Sequence, residues 1–170
     1  MKNLKTDSTR ILLIGVGNSG RGDDGLGWKF AELVERSGYN FFDCEFRYQL
    51  QIEETVLITK YDTVIFLDAS HTALKNGFEI LSCTPANHYF FSSHMQSPKT
   101  LLYLANNLYY KFPEAYSIAI SGHYWDLKTS LSKVAKKNLQ SAFTFFINEF
   151  LPTIQQETYL NKNKLTAGID

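Results

Sequence analysis

The chain reads as an α/β protein: a three-layer α/β/α sandwich with a mostly parallel twisted sheet of about five or six strands. Two observations predict this. Short apolar runs alternate along the chain with segments of helical period, the pattern of a sheet crossed by helices. The runs Ile11 to Ile14 and Val64 to Leu67 are apolar at every position, as strands are when helices cover both faces of a sheet. A length of 170 residues fits one domain with a substantial core. That domain is expected over residues 1–152, with 153–170 a flexible polar tail.

Each element has its own local signal. Arg10 to Val16 is the first strand, and glycines follow it. From Asp24 the period turns helical, with Leu26, Phe30, Leu33 and Val34 on one face and Lys29, Glu32, Glu35 and Arg36 on the other. Gly38 supplies the stop. Asn40 to Arg47 is a second strand, and a short helix follows around Glu53 to Lys60. Thr63 to Leu67, short, apolar and rich in β-branched residues, is the strongest strand signal of all. Gly77 to Ser82 and His88 to Phe91 read as two short strands around a turn at Pro85. Pro98 to Phe112 is helical, with proline suited to its first turn. Ser117 to Ser121 is a strand turned by Gly122. The last helix, about Thr129 to Phe150, carries Ala135, Leu139, Ala142, Phe143, Phe146 and Phe150 on one face, and Pro152 is expected to end it.

Composition narrows the function. Lys plus Arg and Asp plus Glu each number 17, so no basic excess points to nucleic acid or to an anionic membrane surface. No apolar run reaches membrane-spanning length, and the amino terminus lacks the apolar stretch of a signal peptide. Cys44 and Cys83 form neither a C-x-x-C pair nor a disulfide framework, so a reduced, cytoplasmic setting is expected. No G-x-S-x-G motif and no Cys/His pair with a third partner supports serine or cysteine peptidase chemistry.

In sheets of this kind ligands gather beyond the carboxyl ends of the strands. Gly15, Gly17 and Gly20 there satisfy the dinucleotide pattern G-x-G-x-x-G, with Asp43 and Glu45 near the distance of a ribose-binding carboxylate. Asp23 and Asp24 weigh against that reading, because two carboxylates would repel a pyrophosphate. A distributed set competes with it: Asp24 in the glycine loop, Asp68 directly after the "VIFL" strand, and His94 in the loop before the Pro98 helix. Singly, each is an ordinary loop or capping residue. Together at strand ends, two carboxylates and an imidazole make a mixed oxygen and nitrogen site suited to zinc or nickel. His71 and His123 are weaker candidates near the same edge, and Trp125 could line the cleft. Tyr103, Tyr109 and Tyr110 offer an edge for protein contact.

The stretch "ILLIGVGNSGRGDDGLG" resembles the amino-terminal signature of the hydrogenase maturation peptidases. In the same order, "YDTVIFLDAS" is similar to that family's strand ending in Asp-Ala, "SSHMQSPKTLLYLANNLY" to its histidine segment, and "PEAYSIAISG" to the strand that follows. The resemblance implies an endopeptidase that removes a carboxyl-terminal extension from a hydrogenase large-subunit precursor once nickel is in place. It implies metal contact by Asp24, Asp68 and His94, with nickel supplied by the substrate and zinc a possible substitute. Two departures stand out. Where the family commonly has Glu, Asp24 is shorter by one methylene, about 1.5 Å. The family's "DGG" segment is replaced by "FRYQLQIEETVLI". A non-catalytic relative that inspects a metal site is therefore the alternative, and a nucleotide-binding protein the third reading.

Overall fold

The structure, a computed structural model, describes residues 10–88 and 96–156. Five strands form one sheet in the order β2-β1-β3-β5-β4. These are β1 (Ile11–Val16), β2 (Phe42–Arg47), β3 (Thr63–Ser70), β4 (Phe78–Ser82) and β5 (Glu114–Ser121). All pairings are parallel except that of β4, which lies antiparallel to β5 at one edge. Helix α1 is Leu26–Arg36, α2 Glu54–Ile58, α3 Pro98–Tyr109 and α4 Lys133–Phe145.

The consecutive apolar residues of the central strands divide between two cores. Ile11, Leu13, Ile65 and Leu67 face one way and pack with Leu26 and Phe30 of α1 and with Ala135 and Leu139 of α4. Leu12, Ile14, Val64 and Phe66 face the other way, against Ile58 of α2 and Leu101, Leu102 and Ala105 of α3. The three-layer sandwich follows from this alternation, as the unbroken apolar runs require. Each side chain the size of leucine adds about 1.5–3 kcal/mol when fully buried, so the central strands anchor the molecule.

Several boundaries differ from the sequence expectation. A tight 3-10 turn, Gly22–Gly25, precedes α1, so Asp24 lies ahead of the regular helix. Strand β5 begins at Glu114, three residues early, because it pairs with β3 from Thr63 onward. Pro152 does not end the last helix. Phe146–Phe150 forms a π turn, and helix continues through the proline to residue 156. Proline lacks an N–H and crowds the carbonyl four residues back. A widened turn just ahead of it relieves that crowding. Leu151 and Ile154 then reach the core, 3% and 2% exposed. Of the expected strand His88 to Phe91, only His88 is among the described residues, and it lies in a bend.

Candidate active site

Strand β1 connects to β2 on one side, and the chain then crosses to β3 on the other. The switch point of the sheet therefore lies beyond the carboxyl ends of β1 and β3, where such folds open a crevice. Two glycines close-pack this point. A Cβ on Gly15 would sit 2.8 Å from the Gly27 carbonyl oxygen, and one on Gly27 would run into the carbonyl oxygens of Leu67 and Val16. With no side chain between them, the first turn of α1 lies directly on the strand ends.

The loop between β1 and α1 spends its amides on its own oxygens and on carbonyls of β2 and of the segment after β5. Gly17 donates to the Arg47 carbonyl (3.0 Å), Gly20 to Asn18 Oδ1 (2.8 Å) and Arg21 to the Asn18 carbonyl (3.0 Å). Asn18 donates to both Asp24 O (3.2 Å) and Asp24 Oδ2 (2.9 Å). Gly22 and Asp23 donate to the carbonyls of Lys128 and Tyr124. A pyrophosphate cradle needs a fan of free amides at a helix terminus, and these donors are already committed. Asp43 is likewise taken, by Arg10 at 2.7 Å, and it sits opposite Leu12 near the far end of the sheet.

The two adjacent aspartates have opposite surroundings. Asp23 is fully buried. Its carboxylate accepts from the amides of Ser132 (2.7 Å), His123 (2.8 Å) and Tyr124 (3.0 Å), and from the Ser132 hydroxyl (2.7 Å). Burial alone would push this carboxyl up, but those four donors together hold it below the usual carboxylate range. Asp23 clamps the loop after β5 onto the glycine loop. Asp24 is half-buried, with one oxygen on the Asn18 amide.

Asp68 stands where β3 outruns its neighbour. Register with β1 ends at Gly15 against Leu67, while pairing with β5 continues through Ser70. Although solvent reaches Asp68, protein crowds its carboxyl, and this desolvation pushes it up to about 6. The Ala69 amide (2.8 Å) opposes the rise, the Asp24 carboxylate adds to it, and His71 opposes it. The influence of the Asp24 carboxylate on Asp68 places the two groups near each other. Asp68 opens onto a cavity of about 570 Å³, walled by Val16, Leu50, Phe66 and Ile118 and bordered by His71 and Gln96. His94 lies outside the described residues. Among the described residues no group of three or more His, Cys, Asp or Glu could hold a metal ion.

The minor candidates separate. The His71 ring stacks on Trp125, 3.6 Å between centroids and 22° between planes, at the cavity wall. His123 borders a different depression, with Lys75 and Asn138. Tyr109 and Tyr110 are exposed at the end of α3 that leads into the start of β5, the opposite end of the sheet from Asp68. Burial pushes the Cys44 thiol up to about 12 and raises that of Cys83, so neither thiol is primed as a nucleophile.

Sequence reasoning passed over Asp23 as a clamp and gave His71 little weight. The signal for Asp23 was present in the paired aspartates. Nothing in one sequence ties it to Ser132 or ties His71 to Trp125.

The chain has the fold of the hydrogenase maturation peptidases. The hydrogenase maturating endopeptidase HybD from E. coli superposes with a TM-score of 0.63 at 18% identity, over 79% of this chain and 88% of that one. The hydrogenase maturation protease HycI from Thermococcus kodakarensis gives 0.62 at 20% identity, over 83% and 92%. An uncharacterized protein from Wolinella succinogenes gives 0.58 at 21%, over 86% and 99%. At these identities the likeness establishes a shared fold. No protein-family model matches the chain, and no curated protein matches it in sequence.

Proposed function

We propose that the chain is a maturation endopeptidase that removes a carboxyl-terminal extension from the nickel-loaded precursor of a hydrogenase large subunit, in the cytoplasm. One observation carries the reading. In a fold shared with hydrogenase maturation peptidases, the Asp24 carboxylate acts on Asp68 beyond the carboxyl ends of the strands, and Asp68 opens onto a cavity of about 570 Å³. The nickel belongs to the substrate. Asp24, Asp68 and His94 are its contacts in this proposal, a mixed donor set that suits nickel or zinc. Gripping the metal places the scissile peptide against the cavity wall. Asp68 is also the carboxylate that takes a proton from the attacking water in this reading.

Incubation of the purified chain with the nickel-loaded precursor tests this, with the released fragment read by mass spectrometry. Fragment release is expected, and Asp24→Ala or Asp68→Asn should slow it by about 10²-fold or more. A precursor that binds but stays full length supports the non-catalytic relative instead. A precursor that neither binds nor is cut sinks both readings.

A further inference from the structure

We propose that His71 donates the proton to the departing amine in this cleavage, a role that rests on the peptidase reading above. His71 lies three residues beyond Asp68, borders the same cavity and is close enough to act on the Asp68 charge. Its side chain is exposed, and among the described residues its ring nitrogens make no hydrogen bond. Stacking on Trp125 covers one face of the imidazole and leaves its edge, where both nitrogens lie, uncovered.

The ring is held on both sides. Ser70, the residue before it, accepts from the Gly122 amide at 2.9 Å. Ser121 Oγ accepts from the Leu74 amide and donates to the Thr72 carbonyl, both at 2.9 Å, which pins the turn that carries His71. Trp125 lies against Gly122, where a Cβ would meet its ring at 2.8 Å. The amides of His123 and Tyr124, just before it, are fixed on Asp23. Imidazole and indole are thus anchored to the end of one strand, β5, before any substrate arrives. Such support is what a proton donor needs to meet a leaving group at hydrogen-bond distance.

The step balances. Water adds its hydroxyl to the scissile carbonyl carbon and gives its proton to Asp68. The C–N bond breaks with its electron pair passing to nitrogen, and that nitrogen takes the proton of the His71 ring. The proton on Asp68 returns to His71 through solvent, so neither residue is consumed.

The test compares wild type, His71→Phe, His71→Gln and Trp125→Leu on the nickel-loaded precursor, with kcat and KM measured across pH. Phenylalanine keeps a ring on Trp125 and removes both nitrogens. His71→Phe and His71→Gln should lower kcat by about 10²-fold with little change in KM, and should lose the limb on which rate falls with rising pH. Trp125→Leu, which loosens a positioning residue, should lower kcat less and keep that limb. An active wild type whose His71→Phe variant keeps its kcat, or keeps the limb, overturns the assignment of His71 alone. A wild type that leaves the precursor intact overturns the peptidase reading and this role with it. Because His71 is exposed, matching thermal melts for its two variants separate loss of chemistry from loss of fold.

Discussion

Asp23 and Asp24 have the same chemistry, yet their neighbours give them opposite work. Asp23 is sealed under the loop after β5 with four donors on it, whereas Asp24 is half-buried and its carboxylate accepts from the Asn18 amide. Removing Asp23 leaves the amides of Ser132, His123 and Tyr124 without their acceptor, so Asp23→Ala should cost about 1–3 kcal/mol in urea unfolding. The pH dependence has a definite sign. A carboxyl whose native value is depressed contributes its full stability above its unfolded value, near 3.8, and loses it as pH falls through the lower native value. The stability gap between wild type and Asp23→Asn should be constant near neutrality and should close below about pH 4. Unfolding midpoints measured across that range check this. Which of the paired aspartates would be buried could not be read from the sequence, because the donors come from residues about a hundred positions away.

At the scale of elements, Gly27 sets the distance between helix and sheet. Its α-carbon lies against the carbonyls of Val16 and Leu67, backbone groups that cannot rotate aside. Gly27→Ala should therefore cost about 3 kcal/mol or more, at the upper end of overpacking effects, and should spread Asp24 from Asp68. Thermal melts report the first, and loss of precursor binding the second. The strands β1 and β3 and the helices α1 and α3 were legible because their apolar periods are local properties of the chain. The early start of β5 was not, since only pairing with β3 defines it. Helix beyond Pro152 was hidden for a similar reason. Burial of Leu151 and Ile154 against the core outweighs a proline whose local preference is to stop the helix.

Across the whole molecule, that extension ties the end of the described chain to the core shared by α1 and the sheet. Leu151→Ala and Ile154→Ala should each destabilise by about 2–5 kcal/mol, shown by a lower denaturant midpoint with an unchanged slope. The double variant should fall further, because both side chains join one packed cluster. Sheet order also explains how much of the site could be foreseen. Asp24 and Asp68 could be singled out as candidates because each lies beyond a strong strand signal, and a parallel sheet gathers strand ends on one side. The His71–Trp125 stack needed the fold, since β3 and β5 must first lie side by side.

The saturated glycine loop has a thermodynamic consequence. Its amides are bound to Arg47, Asn18, Asp24, Tyr124 and Lys128 before anything arrives, so the loop has little freedom left to lose. In the proposed cleavage, a client seated between Asp24 and Asp68 would meet this surface in its final shape, and no entropy of ordering this loop would be subtracted from its affinity.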